Sequence, residues 1–259
     1  MAVSSLSKIL HWLLYATIAG RLLLVGVLAK RKLVEVYVWF FAYQVFNVVQ
    51  TLVALVPIPD RYTVARYAIS QTIITGLASL VVVEIYRLAL AERKALARFG
   101  RNLVAYVLAG SLLISFVWTL FSGAVPPGQA LLHYTLLTEG VLYTTQLIFV
   151  CLMGAFLAWF PFQIRKSLVA YILGLVLYFS TSGVIRLPAL RSTTGRQIDI
   201  LNVVSLALTL ACIGFWSWGM RKADQDDTTT TGHRWNPEEM ERLKAQLDEI
   251  NDSLERLVR

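Results

Sequence analysis

The chain has 259 residues, of which 57% are hydrophobic and only 15% charged, and its mean hydropathy is +0.61. That composition excludes an ordinary soluble domain and points to an integral membrane protein. The net charge of +8 is unevenly placed: residues 1–222 carry 19 Lys+Arg against 6 Asp+Glu, whereas residues 223–259 carry 5 against 10. A basic excess of this kind marks loops beside anionic lipid, and nothing in it calls for a nucleic-acid partner.

Taken in order, the apolar runs predict an all-α polytopic protein with seven membrane spans, at about 9–29, 34–56, 62–90, 102–121, 131–160, 167–185 and 198–220. About 20 apolar residues suffice for a crossing, so each run is long enough or nearly so. Arg21 interrupts the first run and Lys30-Arg31-Lys32 follows it, which argues for a retained span rather than a cleaved signal peptide. Pro57, Pro59, Pro126, Pro127, Pro161 and Pro188 punctuate the loops, where a helix has to stop. Cys151 and Cys212 fall inside apolar runs and read as neither a disulfide nor a metal pair.

Loop charge sets an expected orientation. With the first loop inside, twelve basic residues (30, 31, 32, 87, 93, 94, 98, 101, 165, 166, 221 and 222) face the cytoplasm and six face outward. The N-terminus is therefore expected outside and the C-terminus inside.

Residues 223–235 read as a polar linker with nothing to bury, and residues 236–259 as a helix. Asn236 is a good N-cap, Pro237 suits the first helical position, and Glu239 completes a capping box. Met240, Leu243, Leu247, Ile250, Leu254 and Leu257 alternate spacings of three and four, which is a heptad seam. At about three heptads this helix needs a partner surface. A parallel homodimer, a helical protein partner and the membrane domain itself all satisfy that need.

Polar residues inside the spans are costly and belong in the bundle interior. Toward the outside lie Asn47, Gln50, Gln71, Glu139, Tyr143 and Gln146, with His133, Tyr134, Arg186, Asp199 and Asn202 nearer the surface. They are read either as an outward-facing pocket in which Glu139 attracts a cation or accepts a proton, or as an interhelical hydrogen-bond network. Toward the inside are Arg21, Glu35, Glu84 and Arg87. Arg21 is expected to pair with Glu84 or Glu35, as a structural ion pair or a switch. Trp12, Trp39, Trp118, Trp159, Trp216 and Trp218 read as interfacial-belt or packing residues.

The chain has no metalloprotease His-Glu-x-x-His, no nucleophile elbow and no phosphate-cradling glycine loop. His11, His133 and His233 are far apart. No catalytic residue, metal or cofactor is expected.

Residues 21–53, with the Lys30-Arg31-Lys32 triplet and Trp39-Phe-Phe-Ala-Tyr43, together with the Glu84-containing third span, resemble short uncharacterised bacterial seven-helix membrane proteins. The seven spans followed by a coiled-coil exit also resemble the seven-helix sensor modules of bacterial histidine kinases. Both resemblances imply a multi-pass protein of the bacterial inner membrane, and the second implies signalling. Microbial rhodopsins are disfavoured because the seventh span has no lysine for a Schiff base. The expected function is a non-enzymatic sensor or scaffold in the lipid bilayer, coupled to its cytoplasmic tail. The alternative is a small-solute or cation- or proton-coupled transporter using Glu139.

Overall fold

The computed structural model describes residues 2–56, 59–90, 130–159, 162–189, 195–222 and 228–231, with separate positions between 102 and 117 and between 238 and 256. Its helices are α1 (Ala2–Lys30), α2 (Val38–Ala54), α3 (Asp60–Ala89), α4 (helical positions within 102–117), α5 (Ala130–Trp159), α6 (Lys166–Ala189) and α7 (Gly195–Lys222). Four contain stretches long and apolar enough to cross a membrane: Lys8–Lys30, Tyr62–Ala89, Leu131–Trp159 and Ile200–Met220. Large apolar side chains point outward, among them Trp12, Val49, Ile69, Leu113, Ile148 and Leu173. Carboxylates, amides and a guanidinium are buried instead, namely Glu84, Glu139, Gln44, Gln146 and Arg21. That inverted pattern is what a lipid-facing bundle requires.

The helices close into a ring. α1 packs on α7 and α2, α2 on α3, α3 on α5, α5 on α6, and α6 on α7. α4 reaches α5 through Ser111 Oγ and Thr145 Oγ1, 3.0 Å apart.

Aromatic side chains fill the middle of the ring. Tyr37, Phe40 and Tyr43 recur at helical spacing along α2 and meet Tyr171 and Tyr178 of α6 and Trp216 of α7. Ring centroids lie 4.7 to 6.1 Å apart in edge or tilted arrangements, the geometry aromatic quadrupoles favour. Trp216, expected as a belt or packing residue, thus has a core packing place at 1% exposure, whereas Trp12, Trp39, Trp159 and Trp218 are exposed. Small residues admit this packing. A Cβ at Gly174 would run into the Trp216 indole, and one at Gly219 would lie 2.7 Å from the Ala170 Cβ.

α1 ends in a Schellman turn. The Leu33 N–H donates to the Leu28 carbonyl and the Lys32 N–H to that of Ala29, at 3.0 and 3.1 Å. Lys32 occupies the left-handed position with φ 54°, where a side chain costs about 1 kcal/mol or more relative to glycine. Leu33 and Leu28, the apolar pair of such a turn, are both buried. This turn delays α2, which begins at Val38 rather than at 34 and has only 17 residues.

Beyond the ring, β1 (Phe162–Arg165) pairs antiparallel with β2 (Thr228–Thr231), in the register Phe162↔Thr231 to Arg165↔Thr228. The stretch expected to be a polar linker includes β2. Its four threonines supply β-branched side chains that suit a pleated ladder. Of the tail, Glu238, Glu241, Arg242, Ala245, Gln246, Glu249, Ser253 and Arg256 are helical and exposed. All six heptad-seam positions lie outside the described residues.

Candidate functional site

Glu139 borders a cavity to which α3 and α5 each contribute one stripe of residues. On α3 these are Thr72, Thr75, Gly76 and Ser79; on α5 they are Thr135, Thr138, Glu139 and Leu142. Both sets follow the i, i+3, i+4, i+7 spacing of one helix face. The short side chains of Thr72, Thr75, Gly76, Ser79, Thr135 and Thr138 leave a space of about 580 Å³, which Leu108 and Ala109 of α4 and Tyr134 also border. Glu139 is only 3% exposed.

The hydroxyls are polarised by their own helices. Thr72 donates to the Ala68 carbonyl at 2.8 Å, Ser79 to that of Thr75 at 3.0 Å, and Thr135 to that of Leu131 at 2.7 Å. A hydroxyl whose proton is spent on the preceding turn presents its oxygen as an acceptor. With Glu139, the Thr72 and Thr135 oxygens place acceptors in an otherwise mostly apolar lining. Thr75 is buried at 4% exposure on the same face as Thr72. Such a lining suits a donor-rich guest, of which an ammonium group is the simplest.

Gln146 lies two turns from Glu139, fully buried, and ties α5 to α3 by donating through Nε2 to Ser79 Oγ at 2.9 Å. Tyr143 is also buried, but its ring lies 5.9 Å from that of Phe179, on the α6 side. The other expected members of the outer pocket are elsewhere. Asn47 donates to the Tyr43 carbonyl of its own helix, and Gln50 donates to Ser70 and lines a separate crevice between α2 and α3. Gln71 lines neither space. Asn202 lines a third crevice, between α1 and α7. His133 and Tyr134 stack edge to face, 5.8 Å apart. The side chains of Arg186 and Asp199 lie outside the described residues. The expected single constellation is thus divided, because Asn47 and Gln50 project from α2 while the Glu139 cavity belongs to α3, α4 and α5.

The inner charged group differs from expectation more sharply. Arg21 is buried and donates through Nη1 to Gln44 Oε1 at 3.2 Å, a neutral partner. Glu84 accepts instead from the backbone N–H groups of Trp39 and Phe40, at 2.9 and 3.3 Å, and from the Tyr171 hydroxyl at 3.2 Å. Glu35 and Arg87 are exposed. The Arg21 ion pair is therefore replaced by a helix cap. The first N–H groups of α2 have no partner within the helix, Tyr37 supplies no side-chain cap, and Glu84 reaches over from α3 to fill that role. Sequence reasoning did not find this arrangement, since a cap supplied by another helix leaves no local pattern. Nor did it find the Tyr43–Tyr178 hydroxyl bond of 2.7 Å or the Tyr37–Ser167 bond of 2.8 Å. The helical spacing of Tyr37, Phe40 and Tyr43 was the available signal.

No protein-family model matches the chain, and neither a curated protein nor a solved structure matches it.

Proposed function

We propose that the chain is a non-enzymatic, seven-span sensor module of a bacterial inner membrane, with its N-terminus outside and its tail in the cytoplasm. A small donor-rich cation seats against Glu139, and its arrival is relayed to the heptad helix, which dimerises or docks on a partner. The observation that carries this reading is the connection at the end of α5. β1 begins three positions after the last residue of the helix bearing Glu139, and it is hydrogen-bonded to β2 in the segment leading to the tail. A shift of α5 along its axis therefore moves the strand that holds the tail. Outward-facing apolar side chains on α2, α4 and α6 support crossings beyond the four longest helices.

The test is the mass of the purified protein in detergent by multi-angle light scattering, with and without residues 223–259, and for Leu247→Ser/Ile250→Ser/Leu254→Ser. A dimer that becomes a monomer in both variants supports the relay. Unchanged mass together with unchanged partner capture in the triple variant would remove the tail from the mechanism.

A second reading, proton- or cation-coupled transport, is favoured by one observation: the buried Glu139 borders a 580 Å³ cavity. It requires that Glu139→Gln abolish pH-dependent uptake in proteoliposomes while tail deletion does not.

A further inference from the structure

We propose that the crevice at the C-terminal end of α1 is a docking site for an anionic phospholipid, its phosphate held by Lys30 and Arg31. Leu23, Gly26, Val27, Lys30 and Arg31 border a space of about 500 Å³ there. The first four occupy positions i, i+3, i+4 and i+7 on one face of α1, and Arg31 follows the helix's last residue. The stripe is apolar along its length and doubly cationic at its end. Leu23, Gly26, Lys30 and Arg31 are all exposed, and a Cβ built on Gly26 meets nothing within 4 Å. This crevice is separate from the Glu139 cavity, which α3, α4 and α5 build, and it stands independently of the function proposed above.

The order of chemistry along the stripe matches that of a phospholipid. Acyl methylenes lie against Leu23, Val27 and the gap at Gly26, and the phosphate meets an ammonium and a forked guanidinium. Leu23 and Val27 give an acyl chain an apolar wall beside the two cations, which a soluble anion would leave unused. Lys32, next in sequence, is a third cation and stands in the left-handed position of the Schellman turn.

The full-length protein, equilibrated with vesicles of equimolar phosphatidylglycerol and phosphatidylcholine and then repurified, is assayed for retained lipid. Wild type is expected to enrich phosphatidylglycerol. Lys30→Gln/Arg31→Gln lowers its retention roughly thirtyfold, from the usual contribution of each basic residue near a membrane surface. Gly26→Leu leaves charge unchanged, its Cβ enters open space, and it is expected to lower retention as well by filling the acyl seat. Lys166→Gln/Lys222→Gln removes the same charge from other helices and is expected to leave retention near wild type. Equal loss in that control would make the attraction diffuse and overturn the proposal. Full retention in Gly26→Leu would overturn it too, as would displacement of the lipid by millimolar inorganic phosphate. If Lys30→Gln/Arg31→Gln fails to fold, the Gly26→Leu arm decides alone.

Discussion

Glu84 and Arg66 stand eighteen residues apart on α3, and between them they close both ends of α2, a helix of 17 residues. Glu84 accepts from the N–H groups of Trp39 and Phe40 at the start of α2. Arg66 donates to the carbonyls of Val53 and Val56 at its end, at 3.2 Å each. At about 1.5 Å per residue, the two separations agree at roughly 26 Å. Each charge also has the sign that the α2 dipole favours at that end. A helix of 17 residues thus takes both its caps from its neighbour.

Glu84→Ala follows from that arrangement. It strips two backbone donors and the Tyr171 hydroxyl of their acceptor in a site only 1% exposed. The expected cost is about 3 kcal/mol, with Glu84→Gln losing roughly half as much, because an amide keeps one accepting oxygen. Thermal unfolding in detergent, followed by near-ultraviolet circular dichroism, measures both. Equal midpoints for wild type and Glu84→Ala would mean that the cap does not stabilise α2.

Arg21→Met should behave differently. The guanidinium is buried against one neutral amide, and its Nε has no hydrogen-bond partner. Its desolvation penalty therefore largely offsets what its bond contributes. The substitution is expected to cost under about 1 kcal/mol, and a loss as large as that of Glu84→Ala in the same assay would refute this.

At Gly174 the limit is steric. Alanine there would displace the Trp216 indole, which donates to the Tyr171 carbonyl at 3.3 Å and packs on Phe40 and Tyr178. Overpacking of this sort costs about 1 to 3 kcal/mol, read as a lowered midpoint with a shifted tryptophan emission. Gly76→Ala is the contrast, since its Cβ meets nothing within 4 Å. It should leave stability alone while shrinking the Glu139 cavity, and so weaken binding of a small amine measured by calorimetry.

The strand pair offers a direct check of the proposed relay. Ile164 and Thr229 are opposite each other in the ladder. Cysteines at these two positions, with Cys151 and Cys212 replaced by alanine, should cross-link under mild oxidation, whereas a Phe162/Thr229 pair, out of register, should not. Cross-linked protein is then expected to lose any ligand-dependent change in tail exposure to protease. Equal cross-linking of both pairs would show that the register is not maintained.

Some of this molecule could be read from residue order alone. The run from 131 to 160 is nearly uninterrupted hydrocarbon, and α5 is Ala130–Trp159. Glu139 stood out as an oddity within it, and it does border a cavity. Other features could not be read in this way. Gln44 gives no sign in the chain of being the partner of Arg21, and the threonines at 228–231 carry no apolar pattern that would mark them as a strand partner.

Residue order by itself determined where the chain is apolar enough to be helical in lipid, because hydrophobic length is a local property summed along a segment. It also determined that the buried acids, amides and arginine belong inside, because hydrocarbon leaves them no other place. Only the tertiary structure decided which of them meet. Capping of α2 by Glu84 and Arg66, the choice of Gln44 for Arg21, and the separation of Asn47 and Gln50 from Glu139 depend on the rotation and offset of one helix against the next. Those are set by side-chain volume at contacts such as Gly174 with Trp216, far apart in the chain and adjacent only once the ring has closed.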